Sequence, residues 1–310
     1  MRIVFWGTPQ FADTVLVALL EAGRDVVGVV TQPDRPAGRG RVTQPPPVKL
    51  TAERAGIPVL QPEKPQGPDF MEALRALEPD MSVVAAYGHI LRREVLDLPP
   101  LGSFNVHASL LPKLRGAAPV NWAIIEAYCE TGVTIMRMVE KLDAGPMVLK
   151  AACPIPPDIT AGALADQLAD LGGRTLLDAL SLLEAGRAVE EPQDEAAATH
   201  APKLKPEDVR IDWTRPAAEL ERWIRGADPM PGAWSELGDL RVRIFAPQLA
   251  EASTEAEPGV VVSADPRSGL EVATGSGTLR IGQVQPAGKR RMEGVEWIRG
   301  RGVAPGQRFS

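Results

Sequence analysis

Residues 2–30 read RIVFWG-TPQFADTVLVALLEAG-RDVVGVV. The first six form a short apolar run closed by Gly7, as expected of a parallel strand buried on both faces. Pro9 suits a first helical position, so residues 9–21 read as a helix stopped by Gly23. Residues 26–30 return to a buried strand. The alternation continues outward: residues 68–77 form an amphipathic helix and 81–86 a strand. Residues 104–107 end another strand, 133–138 and 147–149 are later strands, and 160–183 form a long helix. Strands separated by helices predict an α/β fold with a doubly wound, mostly parallel sheet. Its ligands are expected beyond the carboxyl ends of the strands.

The helical pattern ends near Gly186. Residues 190–206 are rich in Ala, Glu, Pro and Lys, as in a linker. Beyond them lie a helix at 216–225 and short strand-like runs at 240–245, 259–262, 270–273 and 278–284, broken by Gly, Pro and Asp. This predicts a small β-barrel. The expected organisation is a first domain over 1–188, a linker over 189–206 and a barrel domain over 207–310.

The 310 residues are 44% hydrophobic, enough for two cores. Two cysteines, Cys129 and Cys153, with no CxxC pair speak against a disulfide framework or a cysteine-built zinc site. The N-terminus lacks the apolar core of a signal peptide, and no apolar stretch approaches membrane-spanning length. A cytoplasmic protein with no membrane partner is expected. The net charge of −6 is uneven: from Lys203 onward there are 16 Lys+Arg against 15 Asp+Glu, which leaves 18 against 25 before it. Local basic runs can still meet phosphates, because exposed charges beyond about 10 Å are screened at moderate salt.

Of the three histidines, His107 ends a strand two residues after Asn105, so both side chains share a face. Residues 109–119, SLLPKLRGAAP, form a shaped loop, and Leu142-Asp143-Ala144-Gly145-Pro146 sets a carboxylate in a turn. An amide, an imidazole and a carboxylate suit acyl transfer to an amine. Asn105 and protonated His107 can stabilise an oxyanion, and Asp143 can hold the histidine's charge and move protons. No serine or cysteine nucleophile has a recognisable setting. The absence of G-x-G-x-x-G disfavours a dinucleotide.

Taken together, the motifs Asn105-Val-His107-Ala-Ser109-Leu-Leu-Pro112-x-x-Arg115-Gly-Ala-Ala-Pro119, Thr131-Gly-Val-Thr-Ile-Met-x-Met138 and Leu142-Asp143-x-Gly145 closely resemble the folate-dependent formyltransferases. Phe5-x-Gly7-Thr8-Pro9-x-Phe11, Gln32-Pro-Asp-Arg35-Pro-Ala-Gly-Arg39-Gly40 and Gln285-Pro-Ala-Gly-Lys289 resemble the branch that formylates methionyl-tRNA. The resemblance runs from residue 3 to about 308. It implies a Rossmann-like catalytic domain, an OB-like C-terminal barrel, 10-formyltetrahydrofolate as donor, initiator methionyl-tRNA as acceptor, no metal and no obligatory protein partner. By resemblance Asn105, His107 and Asp143 are catalytic. Ser109, Leu110, Leu111 and Pro112 would form the folate loop, with Tyr87, Gly88 and Ile90 in the neighbouring wall. Arg35, Arg39 and Arg41 in the long loop, and Lys289 and Arg290 in the tail cluster 289–291, would meet tRNA.

Two departures stand out. Ala108 replaces the usual Gly after the histidine, and Glu126-Ala127-Tyr128-Cys129-Glu130 replaces a Gly-Asp turn. The alternatives are a formyltransferase acting on glycinamide ribonucleotide or a nucleotide-linked amino sugar, and an inactive RNA-binding protein. The extra C-terminal domain, the arginine loop and the intact trio argue against these.

Overall fold

The computed structural model describes residues 1–37, 42–250 and 254–310. In chain order the first elements are β1 (Arg2–Gly7), α1 (Gln10–Glu21), β2 (Asp25–Val30), β3 (Arg35–Ala37), β4 (Val42–Gln44), α2 (Pro47–Arg54), β5 (Val59–Leu60) and α3 (Pro68–Ala76). They continue as β6 (Met81–Ala85), α4 (Arg93–Leu96), β7 (Ser103–His107), α5 (Pro119–Ile125), β8 (Glu130–Arg137), β9 (Met147–Pro154) and α6 (Ala161–Glu184).

Seven strands form one sheet in the order β5-β2-β1-β6-β7-β8-β9. The pairs β5–β2, β2–β1, β1–β6 and β6–β7 are parallel, and β8 and β9 join as antiparallel edge strands. The expected doubly wound, mostly parallel sheet is therefore present. The chain first builds outward from β1 through β2 to β5, then returns to add β6 and β7 on the other side. The carboxyl ends of β1 and β6 thus flank a topological switch point, where ligands of such sheets bind.

The two faces are distinct. An added Cβ on Gly172 of α6 would stand 2.9 Å from Val106 Cγ1, and one on Gly173 would meet Ala18 of α1 at 2.7 Å. These contacts put α6 on the Val106 face. Side chains alternate along a strand, so Asn105 and His107 point to the opposite face. There Asn105 pairs with Val84, which pairs with Trp6, beside a core of Val4, Trp6, Met71, Leu74, Tyr87, Leu91 and Val95.

By contacts the chain forms two compact units. The first comprises Met1–Pro119, Glu130–Pro154 and Ala165–Pro202, and the second Val120–Cys129, Ile155–Leu164 and Lys203–Ser310. The stretch read as a linker thus includes residues 190–202, which fold onto the first unit.

The second unit contains α7 (Ala217–Ala227), β10 (Trp234–Leu237), β11 (Leu240–Ala250), β12 (Val261–Asp265), β13 (Gly269–Ala273), β14 (Thr278–Pro286), β15 (Met292–Glu293) and α8 (Gly294–Arg299). Its antiparallel sheet runs β10-β11-β14-β13-β12, with β15 beside β14. The last residues close it into a barrel. Phe309 bridges Leu237 at the β10 edge, and Arg308 bridges Val260 next to β12. Inside, Phe309 stacks between Trp213 and Trp297 at centroid distances of 5.6 and 6.4 Å. A closed sheet has no free edge to pair with another chain.

Candidate active site

The site is assembled by β7 and the two loops that flank its end. His107 is buried, and its Nε2 lies 3.1 Å from the carbonyl oxygen of Leu114. A carbonyl only accepts, so Nε2 carries the hydrogen. Nδ1 faces Asp143, with 3.8 Å to Oδ2, and the two side chains are 5% and 10% exposed.

Asp143 sits at φ 47°, in the left-handed region that an aspartate tolerates better than most residues. Its Oδ2 accepts the Gly116 N–H at 2.8 Å. Gly116 is itself constrained: at φ 124°, an added Cβ would stand 2.6 Å from the Ala201 carbonyl oxygen.

The loop between them is held from below by Thr134 of β8. Thr134 Oγ1 donates to the Ser109 carbonyl at 2.7 Å and accepts the Leu111 N–H at 3.1 Å. Ser109 Oγ donates to the Lys113 carbonyl at 2.7 Å. The Leu111–Pro112 bond is cis.

Arg115, next to Gly116, is 2% exposed. Its guanidinium meets Gln193 Oε1 at 2.8 and 3.0 Å and the Glu195 carboxylate at 3.0 and 3.2 Å. Arg115 and, next, Lys141 pull the Glu195 carboxyl down to about 2.

A cleft of about 350 Å³ opens beside these groups. Val84, Met136, Met138 and Leu142 give it apolar walls, and Asn105 and Asp143 supply its polar end. Tyr87 and His89 also line it. Tyr87 stands edge-on to Trp6 at 5.3 Å. Burial pushes its phenol up to about 12. Among the described residues, the Tyr87 hydroxyl and His89 Nε2 are buried without a hydrogen-bond partner.

Residues 1–180 match the formyl transferase family, and residues 203–302 match the formyl transferase C-terminal domain. A methionyl-tRNA formyltransferase of Desulfotalea psychrophila is 51% identical over 292 residues, covering 94% of this chain and 90% of that protein. The chain belongs to the methionyl-tRNA formyltransferase family. Its Bacillus subtilis relative of the same name is 48% identical, over 98% of this chain and 96% of that one. Among solved structures, the methionyl-tRNA formyltransferase of Clostridium thermocellum superposes with TM-score 0.58 at 15% identity, over 88% of this chain and 99% of that chain. HypX of Aquifex aeolicus in complex with tetrahydrofolic acid superposes with TM-score 0.69 at 20% identity, over 96% of this chain and 46% of that chain. At these identities the two structures share the fold.

Within this formyltransferase fold, the residues expected from sequence divide into groups. Asn105 and Asp143 line the cleft with Tyr87, Gly88 and Ile90, while His107 sits behind Asp143. Ser109 and Leu111 are buried within the loop, and none of residues 109–112 lines the cleft. Arg35 is exposed at the start of β3, and Arg39 and Arg41 lie outside the described residues. Lys289 is exposed, and Arg290 is 77% exposed and pairs with Glu296 at 2.8 Å. Arg291, in the same run, is committed elsewhere. It bonds both oxygens of Asp228 at 2.8 and 3.0 Å and lies over the Phe245 ring.

Sequence reading missed the Arg115–Gln193–Glu195 cluster. Arg115 was visible only as a motif letter, and the other two stood in a stretch with a linker's composition. Among the described residues, no group of three His, Cys, Asp or Glu side chains could hold a metal ion. No described helix is long and apolar enough to cross a membrane.

Proposed function

We propose that this chain moves the formyl group of 10-formyltetrahydrofolate to the amino group of initiator methionyl-tRNA, with Asn105, His107 and Asp143 at the reacting atoms. The observation that carries the reading is the cleft itself, where an amide and a carboxylate backed by an imidazole close one end of an apolar slot. The curated relatives of the same length bear the name of that activity.

The cleft suits the folate. A flat heteroaromatic ring fits between Val84, Met136 and Met138, with Tyr87 and His89 also lining the slot. Gly88 and Ile90 would flank it, and the buried 109–112 loop would set the floor's shape. The bound folate supplies a formyl carbon on a nitrogen able to leave.

Asn105 donates its side-chain N–H to the formyl oxygen as that oxygen gains charge. His107, protonated at Nδ1, places a positive charge beside the same oxygen, and Asp143 keeps that charge in place. Asp143 Oδ2 is engaged with Gly116, whereas Oδ1 makes no hydrogen bond among the described residues. Oδ1 is therefore the atom that takes the proton from the attacking amine and returns it to the leaving nitrogen.

The division of labour follows the chain. The domain over 1–188, with residues 190–202 folded on it, carries the chemistry, and the barrel over 207–310 holds the body of the tRNA. Arg35, Arg39, Arg41, Lys289 and Arg290 meet its phosphates and base edges. The reaction needs no protein partner, and its substrates place it in the cytoplasm.

The test is to incubate the full chain with 10-formyltetrahydrofolate and methionyl-initiator tRNA. Formylmethionine should appear in step with tetrahydrofolate. Release of tetrahydrofolate without formylmethionine, or equal rates on a free small amine, would overturn the assignment.

A further inference from the structure

Residues 190–202 run as a belt along the two loops that carry the site. Met147 and Glu191 exchange two backbone hydrogen bonds of 2.8 Å. Arg115 N–H donates to the Thr199 carbonyl at 2.9 Å, and Ala201 N–H to the Arg115 carbonyl at 2.7 Å. Ala118 N–H reaches the Ala201 carbonyl at 3.1 Å, and Leu114 N–H the Thr199 hydroxyl at 2.9 Å. The belt pairs with the 112–118 loop almost as a strand would.

Its inward residue is Gln193. The side-chain Nε2 donates to the carbonyl oxygens of Asp143 and Gly145, both at 2.8 Å. Its Oε1 accepts two guanidinium hydrogens of the buried Arg115. Carbonyls cannot donate and a guanidinium cannot accept, so only one amide orientation is possible. That amide captures two carbonyls of the turn that holds Asp143 in its left-handed conformation. The turn has no slack, because an added Cβ on Gly145 would collide with the Arg137 carbonyl. The other contact of the Asp143 carboxylate, the Gly116 N–H, belongs to the loop the belt secures. Glu195 adds a third tie through Lys141, two residues before Asp143, at 2.6 Å.

We propose that Gln193 is a positioning residue for formyl transfer, its amide fixing the 143–145 turn so that the Asp143 carboxylate stays on His107 and the cleft. The proposal rests on the catalytic reading of Asp143 given above. It makes the belt part of the catalytic unit, so a chain cut near 188 loses more than a connector.

The test uses the full chain. Gln193→Glu keeps the shape but turns both donors into an acceptor facing two carbonyls, and Gln193→Met keeps the volume without hydrogen bonds. Displacement of a reacting group by about 1 Å can cost on the order of 10² in rate. Single-turnover formylation should therefore fall at least about tenfold in both variants, with little change in KM for either substrate.

The sharper readout is additivity. If Gln193 acts through Asp143, then Gln193→Glu combined with Asp143→Asn should be no slower than Asp143→Asn alone. A merely structural role would add its cost in the double variant. Full rates in folded Gln193 variants would overturn the proposal while a crippled Asp143→Asn left the catalytic reading standing. An active Asp143→Asn would sink the catalytic reading itself. Failure of both Gln193 variants to fold would make the residue structural and overturn the proposal too.

Discussion

His107 Nδ1 and Asp143 Oδ2 face each other at 3.8 Å in a pocket that leaves both side chains almost wholly buried. The gap is too long for a hydrogen bond in the free protein. Catalytic contacts in a free enzyme are often long and tighten when substrate closes the site. In the proposed mechanism the pair would hold an imidazolium beside the developing oxyanion.

Tyr87 is the first place to test the cleft. Its hydroxyl is buried without a partner among the described residues, which carries a desolvation cost of about 1–3 kcal/mol. Tyr87→Phe should leave the free protein as stable or more so by thermal unfolding, and it should weaken folate binding by calorimetry. A less stable Tyr87→Phe with unchanged folate affinity would show that the hydroxyl serves the fold.

The sheet was legible because its signal is local. The β1–α1–β2 unit shows a buried run, a proline start and a glycine stop, and the long helix α6 shows steady periodicity. Asn105 and His107 could be put on one face from alternation alone. The short elements α2, β5, β10 and α8 were not legible, since two to eight residues carry too little periodicity. The β3–β4 hairpin lay hidden in a loop rich in glycine and proline. The Gln193 belt was missed for a different reason. Its composition is that of a linker, and the role of Gln193 comes from partners some 50–80 positions away in the chain.

The basic run at 289–291 should split by function. Lys289→Ala and Arg290→Ala should each flatten the salt dependence of tRNA binding by nearly one unit of slope and spare folate affinity. Arg291→Ala should act on stability instead. It strands Asp228, whose side chain is 6% exposed, and should cost about 1–3 kcal/mol. Filter binding across salt, with unfolding curves alongside, separates the two. Equal salt slopes for all variants would return Lys289 and Arg290 to the solvated surface.

Ala127 occupies the turn after α5 at φ 57°, a conformation that favours glycine. Its N–H donates to the Ile124 carbonyl at 3.0 Å and the Tyr128 N–H to the Ala123 carbonyl at 2.9 Å, as in a helix stop. Ala127→Gly should raise stability by up to about 1 kcal/mol without touching catalysis. A lower melting temperature would contradict this backbone conformation.

Glu195 ties the belt to Arg115 and Lys141 with a carboxyl lowered from 4.5 to about 2. A depressed carboxyl contributes stability that is fully present above its unfolded value and is lost as pH falls through its folded one. The contribution should therefore fade between about pH 4.5 and about pH 2. Glu195→Gln should reduce the slope of acid unfolding in that window, read by tryptophan fluorescence. An unchanged slope would mean the ion pair does not form in solution.

If Asn105, His107 and Asp143 perform the transfer, rapid-quench single-turnover formylation of methionyl-tRNA will register the loss of each. Losing one oxyanion donor typically costs about 10²–10³ in rate. His107→Ala and Asp143→Asn, shown folded by circular dichroism, should lose at least that much while still binding folate. If either folded variant kept most of the wild-type rate with substrates saturating, the chemistry would have to lie with other residues.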